Sequence, residues 1–98
     1  MALRWPHKDP DEVLDYRGDW VGTTYKPGPL FGSGDTISNS LWVVPAGLSK
    51  ESDTHDGGSV TIWLSGGTDG ETYELLNRIT TAEGRVLDQT FELPVKQK

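Results

Sequence analysis

The chain contains no cysteine. Disulfides and thiolate metal sites are therefore excluded as sources of stability, which fits assembly in a reducing compartment. No apolar run approaches the roughly 20 residues of a membrane-spanning helix, and no stretch reads as a signal-peptide core. Met1 through Asp11 is polar and carries two prolines. Histidine is scarce, with only His7 and His55 present. Basic residues are outnumbered: nine Lys and Arg face 15 Asp and Glu, a net charge of -6. A general nucleic-acid binder needs a basic patch, so that class is not expected. The acidity suits a small protein that must stay soluble.

What is present is glycine, 12 of 98 residues, and four tryptophans. Frequent Gly turns between aromatic and β-branched runs favour a β-sandwich. The clearest stretch is Val60 to Val95. Apolar residues alternate to Gly66-Gly67, resume at Tyr73, turn at Gly84 and resume to Val95. Alternation bounded by Gly-rich turns predicts half-buried antiparallel strands. Val60, Ile62 and Leu64 then share one face, with Trp63 on the other. Leu75, Asn77 and Ile79 share the face of Tyr73, and Leu87, Phe91, Leu93 and Val95 point inward. A Tyr just after a Gly-rich corner matches the tyrosine corner of immunoglobulin-like sandwiches, so Tyr73 is predicted to pin backbone a few residues upstream.

Upstream the pattern is broken more often. Residues 1 to 8 read as an arm. Trp5 either packs on the domain or, with Leu3, docks into a neighbouring subunit. Asp9-Pro10-Asp11-Glu12 has the form of a helix start, yet at most one turn is expected before a strand from about Val13 to Val21. Gly18 falls on the apolar side and marks a bulge or a close approach. Gly22 to Asp35 is a long Pro- and Gly-rich loop holding Leu30 and Phe31. These are a lid on the core or a contact site on an exposed tip, and the contact reading is preferred, together with Tyr25. Thr36 to Pro45 is a strand with Trp42 inward, which leaves Leu41 and Val43 outward. Leu48 to Lys50 is a short edge strand, and Glu51 to Gly58 a polar loop. The tail, residues 96 to 98, is expected to fray. The whole is therefore read as all-β: an immunoglobulin-like antiparallel β-sandwich of about seven strands over residues 9 to 95, with an N-terminal arm.

No catalytic constellation emerges. The two histidines lie in the arm and a loop, and no Gly-rich phosphate cradle precedes a helix. Asp53, His55 and Asp56 match no ligand spacing, so a solvated turn is expected rather than a metal site. No catalytic, cofactor or metal residue is assigned, and a non-enzyme is expected.

Three strings carry a more specific resemblance: KDPDEVLDYRGDW (Lys8 to Trp20), GDTISNSLWVVPAGL (Gly34 to Leu48) and WLSGGTDGETYELLNRITTAEGR (Trp63 to Arg85). In this order the chain resembles the bacteriophage fibre-tail adaptor family, over about Lys8 to Val95. It departs from the family pattern at Val21 to Ser33, which is longer and richer in Pro and Gly. It departs again at Leu41 and Val43, where polar residues are more usual. Both departures place apolar groups at the surface. The resemblance implies a non-enzymatic structural protein of the virion, joining a tail or neck (connector) ring to a fibre protein. It implies rings of about six or twelve copies and residence in the virion after assembly in the host cytoplasm; from the acidity and the lack of long apolar runs, no nucleic acid or membrane partner is expected. Its contact residues are expected among Leu3, Trp5, Tyr25, Leu30, Phe31, Leu41, Val43, Trp63 and Leu76. Placing the strands in the usual sandwich puts Leu41, Val43, Leu76 and Val86 on one outer sheet face. Two alternatives stay open: a capsid decoration or head-fibre protein with the same sandwich, and a carbohydrate-binding module using Trp63 or Trp5 as a sugar platform.

Overall fold

A computed structural model describes residues 3–22 and 24–97. Among these there is no helix, and seven strands form two sheets. The strands are β1 (Leu3–Arg4), β2 (Leu14–Asp19), β3 (Ile37–Val43), β4 (Leu48–His55), β5 (Ser59–Gly66), β6 (Thr72–Thr81) and β7 (Val86–Pro94). One sheet has the order β1-β7-β6-β3 and the other β2-β5-β4. Every pairing is antiparallel except β1 with β7, which is parallel.

The core is the space between the sheets. Val60, Ile62 and Leu64 of β5 meet Leu75 and Ile79 of β6 and Phe91 and Leu93 of β7, all buried. Each such side chain contributes about 1.5–3 kcal/mol by leaving water. Strict alternation in these three strands is what aims them inward. Trp42 is buried as the strand reading required, while Leu87 is only partly covered. Gly18 is the close approach: a Cβ there would lie 2.7 Å from the Phe91 ring. The tyrosine corner is also present. The Thr68 N–H donates to the Tyr73 hydroxyl at 2.9 Å, and the Tyr73 ring presses on Gly47, whose φ of +102° suits glycine.

Two buried polar groups organise the interior. The Asn77 side chain accepts from the Trp20 indole N–H at 3.0 Å and donates to the Ser40 hydroxyl and the Leu41 carbonyl. Lys8 is wholly buried, its ammonium donating to the carbonyls of Asp9 and Gly66 at 2.8 and 2.7 Å. A buried ammonium is tolerated only where acceptors replace water. The segment around Lys8 is thereby tied to the end of β5.

Several expectations are corrected. The arm is part of the sheet: Leu3 pairs with Phe91 and Arg4 with Glu92, and the Trp5 N–H donates to the Glu92 carbonyl at 2.9 Å. The tail is held rather than frayed through Gln97, since the Lys96 N–H donates to the Lys8 carbonyl and the Gln97 N–H to Asp69; Lys98 lies outside the described residues. The polar stretch after Lys50 continues as strand to His55, paired with β5 through a bulge between Lys50 and Ser52. Its polar residues reflect exposure at a sheet edge, not the absence of a strand. By contrast, Asp9 to Glu12 makes one turn only, as expected, with the Glu12 carboxylate accepting from the Asp9 N–H and Asp9 from the Asp11 N–H.

Candidate interaction surface

The residues expected to make contacts fall in five places. Trp5 is in the core, 8% exposed. It stacks on Phe91 and Tyr16 at ring separations of 4.6 and 4.8 Å, and its indole N–H donates to the Arg17 carbonyl. It is therefore a core group rather than a free anchor for a neighbour: a largely desolvated aromatic stack holds it in its own domain, with only an edge left at the surface. Leu30, 2% exposed, is likewise a lid on the core. Its N–H donates to the Trp20 carbonyl, which folds the loop back at that point. Phe31 beside it is exposed, and Tyr25 stands out from the loop tip at 97% exposure. Leu3 is exposed on β1. Trp63 is exposed on the outer face of the three-stranded sheet, opposite Asp15 on one side and Ser52 on the other.

The fifth place gathers three of the expected residues. Leu41 and Val43 are 53% and 54% exposed on β3, and Val43 lies directly opposite Leu76 of β6. They form an apolar strip on the outer face of the four-stranded sheet. Leu41 lies opposite Arg78, which binds Asp88 of β7 through two bonds of 2.7 and 2.9 Å. This hydrogen-bonded pair raises the Arg78 pKa and holds the Asp88 carboxyl below its ordinary range. Val86 shares the face but pairs with Thr80, so the Arg78–Asp88 row separates it from the strip.

β3 is an edge strand, and its edge is unlike the others. β2 carries Asp15, Arg17 and Asp19, β4 carries Lys50, Glu51 and Asp53, and β1 is two residues long. Charges and shortness are how edges avoid unwanted pairing. β3 reads Ile-Ser-Asn-Ser-Leu-Trp-Val, with no charge at all and a bulge only between Ile37 and Asn39.

The family model described as "Podophage GP4 fiber-tail adaptor protein gp77" matches residues 8–94 of the chain. The chain belongs to this family. The matched span is thus an all-β sandwich that begins at the buried Lys8 and runs to the end of β7. Its family marks it as a structural protein of the phage tail. No curated protein matches the chain.

Sequence reasoning missed one cluster on the adaptor. Asp35, with a side chain closed to solvent, accepts from the Arg85 guanidinium at 2.6 Å and from the N–H groups of Thr36 and Glu83. Burial pushes its carboxyl up, but bonds from Thr81, Arg85, Thr36 and Glu83 outweigh that and hold it below the ordinary range. The pair clamps the start of β3 to the β6–β7 hairpin. Fifty residues separate the partners, so no local pattern could reveal it. Among the described residues no group of His, Asp and Glu is arranged to hold a metal. Asp56 instead accepts from the N–H groups of Gly58 and Ser59 and shapes the β4–β5 turn.

Proposed function

We propose that this protein is an adaptor of a tailed-phage virion that joins a tail or neck ring to fibres through protein–protein contacts, in a ring of about six or twelve copies. The observation that carries this reading is the strip Leu41–Val43–Leu76 beside the uncharged edge of β3. Apolar groups collected on an exposed sheet face mark a contact site, and an unguarded edge accepts a neighbouring strand. The rigid sandwich behind it needs no chemistry of its own. Phe31 and Tyr25 on the loop supply further aromatic contacts of the kind favoured at interfaces.

The test is incorporation into particles of a chain carrying Leu41→Asp and Val43→Asp. Both side chains face water in the free protein, so its melting temperature is expected to stay near wild type. Incorporation is expected to fall at least about tenfold, the equivalent of roughly 1.4 kcal/mol of lost contact. Unchanged incorporation would sink the assignment of this face. Copy number belongs to the same experiment: about a dozen copies at the tail support the ring, and hundreds on the head would instead make it a decoration or head-fibre protein.

A second reading rests on Trp63, an exposed indole with polar Asp15 and Ser52 opposite it. Such a surface suits stacking on a sugar ring. Saturable binding of host surface polysaccharide by the isolated chain, abolished by Trp63→Ala, would establish it.

A further inference from the structure

A groove of about 630 Å³ opens where the edges of the two sheets meet on the β1 and β2 side. Its apolar lining includes Leu3, Trp5 and Phe91, and the loop carrying Pro27 and Pro29 forms one wall. The seam exists because β1 pairs with β7 only at Phe91 and Glu92 among the described residues, while β2 pairs only with β5. Trp5 closes it at one level by donating to the Arg17 carbonyl.

The charge of this groove is opposite to that of the molecule. Of nine Lys and Arg in a chain of net charge -6, three line it: Arg4, Arg17 and Lys26. Four cations outside the groove are held within the fold, and in the groove itself Arg17 is near enough to Asp56 to favour that carboxylate's charged form. Lys50, Arg78 and Arg85 pair with Asp53, Asp88 and Asp35 at 2.9 Å or less, and Lys8 is buried on carbonyls. The groove's one carboxylate, Asp19, accepts from the N–H groups of Val21 and Gly22 through one oxygen. Arg4 has Glu92 at 3.8 Å, a solvated pair of little strength.

We infer that this groove binds an extended acidic segment of a neighbouring protein, its carboxylates on Arg4 and Arg17 and its apolar or proline residues on the lining around Leu3 and Pro27. Guanidinium groups match carboxylates through paired hydrogen bonds. The volume falls in the range of about 300–1,000 Å³ that holds small ligands and short segments. A nucleic acid is disfavoured, because three cations neutralise few phosphates and the surrounding surface is acidic. The inference deepens the adaptor reading and rests on it only in supposing that the segment belongs to another virion protein.

The test uses the isolated, isotope-labelled chain and three probes: acetyl-Asp-Leu-Asp-Pro-Asp-Leu-amide, the same peptide with Lys for Asp, and a ten-residue oligothymidylate. The acidic peptide is expected to give saturable amide shifts at Arg4, Arg17, Gly22, Gly28 and Gln89. Affinity is expected to fall at least about tenfold in Arg17→Glu and in Arg4→Glu, both with wild-type melting temperatures because these side chains lie at the surface. No saturable shift at millimolar peptide, equal binding of the basic peptide, or tighter binding of the oligonucleotide overturns the proposal. A chain that enters particles but shows no groove binding refutes this inference alone; one that binds the peptide but is absent from particles refutes the adaptor reading alone.

Discussion

Trp5 and Tyr16 carry the sharpest consequences at the scale of single residues. Trp5 sits in a stack with Phe91 and Tyr16, tilted against Trp42. Trp5→Ala is expected to cost about 3–5 kcal/mol, read as a fall in the denaturation midpoint. A loss under about 1 kcal/mol would mean that the indole is not a core group. Tyr16 behaves in the opposite sense. Its ring packs, but its buried hydroxyl has no hydrogen-bond partner, and an unsatisfied buried group costs about 1–3 kcal/mol. Tyr16→Phe is therefore expected to leave stability unchanged or raise it. Burial, followed by the charges of Glu12 and Asp15, pushes the Tyr16 pKa to about 12, above the unfolded value of about 10. The folded chain thus holds this proton more tightly. The associated stability is complete below about pH 10 and is lost as pH rises toward 12. The Phe variant should lack that alkaline loss; equal profiles would disprove the hydroxyl's isolation.

At the scale of elements, the clamp of Asp35 on Arg85 decides how β3 meets the β6–β7 hairpin. The Asp35 pKa is depressed in the fold, so its contribution is present above the unfolded value of about 3.9 and is lost as pH falls through the lower folded one. Urea midpoints measured against pH are expected to hold steady near neutrality and decline below about pH 4. Asp35→Asn should flatten part of that decline, and a profile identical to wild type would refute the clamp. The strands themselves were largely legible. β5, β6 and β7 alternate cleanly, and Trp42, Gly18 and Tyr73 took the inward, close-approach and corner positions that their types suggested. The extent of β4 was not legible, because an exposed edge strand and a polar loop have the same composition. The pairing of Leu3–Arg4 with β7 was not legible either, since two residues carry no period and their partner lies almost ninety positions away.

For the whole molecule, the sandwich separates its surfaces. The strip of Leu41, Val43 and Leu76 lies on the outer face of one sheet, Trp63 on the outer face of the other, and the basic groove along the seam of β1 and β2. A chain built this way can engage different neighbours at once, as a bridging component must. By itself the sequence determined the all-β class, the inward faces of the central strands, the outward Leu41 and Val43, and the family motifs. The first three rest on local alternation and turn chemistry, which act over a few residues, and the motifs on their resemblance to a known family. Only the tertiary structure decided that Trp5 and Leu30 are core, that Lys8 is buried on Gly66, that Asp35 reaches Arg85, and that Arg4, Arg17 and Lys26 converge on one groove. Those outcomes depend on which distant backbones come into register and which side chains lose water together, and neither quantity is written in neighbouring residues.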